Sequence, residues 1–311
     1  MITLREEHLV LTNKIQALSP EIGNTPISEI KHIFSKPGVN IYAKHEWKQL
    51  SGSVKIRAAY AIMRQAIEDG TLNADKTLLD ATSGNTGIAY ATIGDRIGLK
   101  VVLCIPENAS SDRKIILQDL GAELIFTSRF EGTDGAQMVA KELSEKFPGK
   151  YFYADQYANE NNWKAHYNTT AEEIYSALPQ ITHFVAGLGT TGTFIGTGRR
   201  LKELNPEIRL ISLQPDSPLH GMEGWKHLQT AIVPKIYDFA LADENLEVNT
   251  DNAYEIIKAA AKHENLLLSP SSAANIAGAI QVAEKLSNGT LLTILPDNSD
   301  RYKDIMDQLS L

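Results

Sequence analysis

The sequence predicts an α/β protein built from mostly parallel sheets flanked by helices. From about residue 77 onward, short β-rich apolar runs alternate with helix-like segments, the pattern expected of parallel strands joined by helical crossovers. Three of the strand-to-helix junctions are rich in Gly, Ser and Thr, at 82–87, 187–193 and 269–272. With 43% of its 311 residues apolar, the chain is long enough to bury a large core, and two linked lobes are expected.

The strands are predicted at 77–81, 100–105, 123–127, 151–154, 183–186, 209–213, 266–268 and 291–295. Helices are predicted at 58–68, 88–97, 113–120, 136–146, 163–178, 194–204, 253–263 and 273–286. The chain shows no internal repeat, low-complexity tract or long flexible linker. Residues 48–155 are expected to form a smaller lobe, with 1–47 and 156–311 forming the larger one.

Composition narrows the class of partner. A formal charge of −8 and a pI near 5.5 argue against nucleic acid or an anionic membrane, which are bound through clustered Lys and Arg. Cys104, the only cysteine, lies within the apolar run Val101-Val102-Leu103-Cys104-Ile105 and reads as a core residue. Arg5, Glu6 and Glu7 interrupt the stretch where a signal peptide needs apolar residues. No segment reaches the roughly 18 apolar residues of a membrane span, so a cytoplasmic protein is expected. The histidines lack metal-ligand spacing, and no metal is expected.

Ligands of parallel α/β sheets bind at the carboxyl ends of strands, so the Gly/Ser/Thr-rich junctions read as one constellation. In Gly187-Leu188-Gly189-Thr190-Thr191-Gly192-Thr193, backbone N–H groups, hydroxyls and the start of the following helix suit a phosphate. The same loop matches G-x-G-x-x-G with Asp216 after the next strand, so a dinucleotide reading stays open. No Gly-Lys-Ser/Thr closes it as a Walker loop would. Lys55, in Ser51-Gly52-Ser53-Val54-Lys55-Ile56-Arg57, stands at a predicted helix start. The positive end of a helix dipole disfavours its cationic form, and a neutral amine can form a Schiff base. Thr82-Ser83-Gly84-Asn85-Thr86-Gly87 offers donors for a carboxylate and an amide at Asn85, or a simple helix cap. Gln156 follows a strand, where a solvent-facing loop residue is the default. The segment 220–227 reads either as a border of the substrate mouth or as a surface loop around a buried Trp225.

Together these segments, with Leu295-Pro296-Asp297 in the same order, resemble the cysteine synthase family (O-acetylserine or O-phosphoserine sulfhydrylase-like) of fold type II pyridoxal 5′-phosphate (PLP) enzymes. The resemblance covers nearly the whole chain. It implies a two-lobed, tryptophan synthase β-like fold, a homodimer, and a PLP-dependent transferase. Lys55 would carry the cofactor and act as the catalytic base. Asn85 would meet the 3′ oxygen, and Gly189, Thr190, Thr191, Gly192 and Thr193 the phosphate. Thr82, Ser83, Thr86 and Gln156 would hold the substrate carboxylate, and Ser271, with Ser272 as the alternative, the pyridine nitrogen.

The implied reaction is β-replacement of the acetyl or phosphate group of an activated L-serine by sulfide or a thiocarboxylate, through an α-aminoacrylate. The stretch 184–193 is similar to the subgroup that uses O-phosphoserine. Gln214-Pro215, however, is followed by the anion Asp216 where that subgroup tends to have a basic residue, which favours O-acetylserine. The chain departs from the family at Gln49-Leu50, Ile56, Pro270 and Ala273. The alternatives are cystathionine β-synthase-like or serine dehydratase-like chemistry on the same scaffold, and a non-catalytic binding module.

Overall fold

The structure is a computed structural model that describes residues 4–82 and 84–311. In chain order its elements begin with α1 (Leu4–Gln16), β1 (Ile27–Ile30), β2 (Val39–His45) and α2 (Lys55–Glu68). There follow β3 (Thr77–Ala81), α3 (Asn85–Ile97), β4 (Val101–Pro106), α4 (Ser111–Asp119), β5 (Glu123–Thr127), α5 (Gly132–Lys146) and β6 (Tyr151–Tyr153). Next come α6 (Glu160–Asn168), α7 (Thr170–Ala177), β7 (His183–Gly187), α8 (Gly192–Leu204), β8 (Arg209–Pro215) and β9 (Glu244–Val248). The chain finishes with α9 (Thr250–His263), α10 (Pro270–Lys285), β10 (Gly289–Leu295) and α11 (Lys303–Leu309).

These elements form two compact units, Lys55–Asn162 with the segment up to Ile22, and Gly23–Val54 with Trp163–Leu311. The first holds a four-stranded, wholly parallel sheet in the order β5-β4-β3-β6. Every residue of β3 and β4 is buried, as expected of strands covered on both faces. Leu79, Ala81, Val102 and Cys104 pack there against Ala136 and Ala140 of α5. Burial raises the Cys104 thiol pKa to about 12, with the nearby Asp80 adding to the shift. That is the inert core cysteine the sequence predicted. Helix α1 packs on α2 and α3, and Lys14 Nζ donates to Ile97 O at the end of α3 (3.0 Å). This packing places the amino-terminal segment with Lys55–Asn162, so the unit boundaries fall at 22, 54 and 162 where the sequence suggested lobe limits at 47 and 155.

The second unit holds a six-stranded sheet in the order β1-β2-β10-β7-β8-β9. Only the β1–β2 pair is antiparallel. Helix α10 lies against this sheet and is built largely from Ala, Ser and Gly, with Ser271, Ala273, Ala274, Ala277, Gly278 and Ala279 all within its buried stretch. Small side chains let it approach closely: a Cβ at Gly278 would lie 2.3 Å from Leu213 Cδ1 of β8. Lys44 of β2 is buried and bridges Glu173 Oε2 of α7 (2.7 Å) and Thr25 O (2.8 Å).

The expected strands appear, with one exception. The run 266–268 is no strand: Leu267 is 55% exposed, and Leu268 makes only an isolated bridge to Asn298. The helix expected at 163–178 is divided at Thr169, whose φ of −128° and ψ of −65° leave the helical region. Among the described residues no helix is long and apolar enough to cross a membrane, and no group of three or more His, Cys, Asp or Glu could hold a metal.

Lys44→Met is expected to destabilise the protein by about 3 kcal/mol, because it strands a carboxylate and a buried carbonyl. Denaturant midpoints should show Lys44→Met recovering part of that loss when combined with Glu173→Gln.

Candidate active site

In the first unit, the junction after β3 is organised by Thr82, which is buried and accepts from Gly84 N (3.0 Å) and Gly87 N (3.1 Å) through Oγ1. A hydroxyl that accepts twice still has its own proton to donate. Ser83 lies outside the described residues. Asn85 opens α3 and is half-buried, while Thr86 is buried. Gly87 is glycine for a steric reason: a Cβ there would lie 2.6 Å from Thr82 Cγ2 and 3.0 Å from Leu103 Cδ1.

Gln156 completes this loop from across the sheet. Its Nε2 donates to Ala81 O (2.7 Å) and its Oε1 accepts from Thr86 Oγ1 (2.7 Å). Its own backbone is held in turn, with Asn162 Nδ2 donating to Gln156 O (2.7 Å). The default reading as an exposed loop residue is therefore corrected: Gln156 is 2% exposed. It ties the end of β3 to the first turn of α3.

In the second unit, a turn prepares the position of Lys55. Ser51 and Gly52 have φ of 61° and 67°, a region that L side chains adopt with strain. Arg301 Nη2 donates to Ser51 O, and Val54 N donates to Pro296 O (2.8 Å). The carboxyl-terminal segment thus fixes the turn, and the next residue, Lys55, opens α2.

The loop after β7 is the most tightly packed part of that unit. Gly187 N donates to Asn275 Oδ1 of α10 (2.7 Å), and Leu188 N donates to Leu213 O (2.9 Å). A Cβ at Gly187 would lie 2.1 Å from Trp225 Cε2, and one at Gly189 would lie 2.1 Å from Gly224 O. Lys226 N donates to Leu188 O (2.8 Å). These two glycines admit the segment 222–226, so that segment packs on the loop around a buried Trp225. Thr191 has φ of 72° as the N-cap of α8, a conformation that L residues adopt with strain. Thr193 Oγ1 lies 3.3 Å from His166 Nε2, a buried neighbour that the sequence did not suggest.

Ser269 is the N-cap of α10, accepting from Ser272 N (3.2 Å), and Pro270 takes the first helical position, where a missing N–H costs nothing. The two candidate serines differ. Ser272 Oγ donates to Asp297 O at 2.6 Å, whereas Ser271 Oγ makes only longer contacts, to Ser269 Oγ (3.2 Å) and Asp297 Oδ1 (3.4 Å).

The family model described as pyridoxal-phosphate dependent enzyme matches residues 18–297. The chain belongs to the pyridoxal-phosphate dependent enzymes. It is 43% identical over 289 residues to a protein of Aquifex aeolicus named cysteine synthase, covering 90% of this chain and 88% of that one. It is 38% identical over 288 residues to the O-acetylserine dependent cystathionine beta-synthase of Bacillus subtilis, covering 90% and 94%. A crystal structure of cysteine synthase (OASS) from Entamoeba histolytica superposes with a TM-score of 0.86 at 31% identity, covering 94% of each chain.

The residues of this PLP-dependent enzyme fit the cofactor. Thr191 Oγ1 is buried without a hydrogen-bond partner, and it stands with Thr190 and Thr193 at the start of a 13-residue helix. N–H groups, hydroxyls and a helix amino terminus together form a donor set suited to phosphate.

Gly189→Ala is expected to push the 222–226 segment off the loop and weaken PLP retention by about tenfold or more. Cofactor absorbance after dialysis of the loaded protein reads this out.

Proposed function

We propose that this enzyme makes cysteine by β-replacement, exchanging the acetyl group of O-acetylserine for sulfide. The donor set described above carries the reading: a lysine at the start of α2, a phosphate loop after β7, a carboxylate loop after β3 and a neutral serine at the start of α10. The Aquifex aeolicus relative supports the reaction class. Asp216, the residue after β8, stands where the O-phosphoserine-using subgroup tends to have a basic residue, which favours the acetyl over the phosphate ester.

Bound PLP supplies the electron sink that acidifies the Cα–H of an amino acid. Lys55 would hold the cofactor, and its Nζ would be the base that takes the Cα proton. Gly189, Thr190, Thr191, Gly192 and Thr193 hold the phosphate, and Asn85 donates its amide to the 3′ oxygen. Ser271 meets the pyridine nitrogen. Its longer contacts leave it better able than Ser272 to do so, and its hydroxyl places no formal charge beside the ring. Thr82, Thr86, Gln156 and Ser83 orient the substrate carboxylate, so that the Cα–H faces the base and water is kept from the reacting carbon. The family resemblance extends the proposal to a cytoplasmic homodimer with a mobile substrate lobe over 48–155.

A second reading is cystathionine formation, favoured by the Bacillus subtilis relative. Product analysis with O-acetylserine, O-phosphoserine and serine, each with sulfide or homocysteine, separates the two. The expected result is cysteine from O-acetylserine and sulfide, with Lys55→Ala lowering turnover about a thousandfold or more. Cystathionine as the dominant product would select the second reading, and no turnover of any ester would overturn both.

A further inference from the structure

The carboxylate loop of the first unit rests on a carboxyl group buried in its sheet. Asp80, the fourth residue of β3, has no exposure to solvent. Its Oδ1 accepts from Ala81 N (2.8 Å) and its Oδ2 from Gln156 N (3.4 Å). Around it stand Tyr90 of α3, Cys104 of β4, Tyr153 of β6, and Asp155 and Tyr157 of the segment that follows. Asp134 of α5 acts on Tyr157 from the far side. All of these groups are acidic or phenolic, apart from the thiol, and burial raises the pKa of each of the three tyrosines. Asp155 itself is held at φ of 44°.

We propose that Asp80 is a positioning residue for the carboxylate loop: the arm formed by residues 155–157 docks on a neutral Asp80 and loosens when Asp80 ionises, and Gln156 moves with it. The inference rests on the reading of Gln156 as a carboxylate-orienting residue. Docking the arm brings the Asp155 charge up to a carboxyl that the sheet already keeps from solvent, which disfavours the ion. The arm offers the ion only one long bond, from Gln156 N. Burial, followed by the Asp155 charge, raises the Asp80 pKa from 3.8 to about 7, against hydrogen bonds from Ala81 N and Gln156 N and the neighbouring Tyr90 phenol, which lower it.

The sign follows from linkage. The docked arm, with the Asp155 charge beside Asp80, favours the protonated acid more than the undocked arm does, so docking is strongest at low pH. It weakens as pH rises toward about 7 and levels off above that. Up to tenfold in the docking equilibrium is at stake per pH unit across that window.

Hydrogen–deuterium exchange of the 155–157 segment in the PLP-loaded protein, corrected for the intrinsic pH dependence of exchange, reads the equilibrium directly. In the wild type, protection should fall with rising pH by up to about tenfold per unit and then plateau near neutrality. Asp80→Asn mimics the neutral acid and should give a flat profile, more protected than the wild type above pH 7. Tyr90→Phe removes the buried phenol beside Asp80, whose presence lowers the Asp80 pKa, and should move the plateau to higher pH, a check that holds even where Asp80→Asn does not fold. A flat wild-type profile, or one unchanged in both variants, overturns the role of Asp80. L-serine, as a carboxylate probe, should raise protection of the segment. If the pH profile appears as described but L-serine leaves it unmoved, the carboxylate role of Gln156 fails while the coupling to Asp80 stands.

Discussion

The pairing of β10 with β2 on one side and β7 on the other is the constraint on which the second unit depends. Leu295 lies opposite His45, and Thr293 opposite Val185, so three strands distant in sequence end at the same edge of the sheet. Thr293 Oγ1 donates to Val185 O (2.8 Å) and reinforces the register within the core. Everything chemical in this unit leaves from that edge. The segment after β2 leads to Lys55, the turn after β7 is the phosphate loop, and Pro296 and Asp297 after β10 hold Val54 N and the serines of α10. A carboxyl-terminal strand thereby organises the turn at 51–54, far earlier in the chain, a non-local arrangement of the kind that folds slowly.

Close packing turns this topology into a rigid site. Missing Cβ atoms at Gly187, Gly189 and Gly278 bring Trp225, the Gly224 carbonyl and Leu213 nearer than any side chain would permit. Hydrogen bonds from Gly187 N and Lys226 N then lock the loop between α10 and the 222–226 segment. Phosphate-binding N–H groups held this way need little reordering when they take up an anion. The first unit uses a different device. Its carboxylate loop is held by side-chain hydrogen bonds of Thr82, Thr86 and Gln156, which depend on the arm after β6 and so on the charge beneath it.

Much of this was legible in the sequence because β-rich runs followed by Gly/Ser/Thr-rich turns mark parallel strands at their functional ends. β3 and β5 fall where the apolar runs put them, and the glycine- and threonine-rich turn lies between β7 and α8, after a strand and before a helix as its composition implied. What stayed hidden lacks that signature. β9 alternates partly exposed and exposed residues before Val248, β1 spans only four residues, and α1 begins with the polar Arg5-Glu6-Glu7 stretch that had served only to exclude a signal peptide. The run 266–268 is apolar but finds no strand partner along its length. Gln156 looked exposed because its partners, Asp80 and Ala81, lie some 75 residues away, and only the β3–β6 pairing brings them together. Asp80 carried one usable signal, a lone charge in the buried run Thr77-Leu78-Leu79-Asp80-Ala81, the kind of position where a carboxylate is rarely tolerated without a role.

The account assigns the cofactor's covalent bond to one amine, and the proposed chemistry stands or falls with it. Borohydride reduction of the PLP-loaded protein, followed by peptide mapping, tests this most directly. A pyridoxyl group found on Lys55 alone is the predicted result; a label on another lysine, or none on a protein that retains the cofactor's absorbance, would contradict the account.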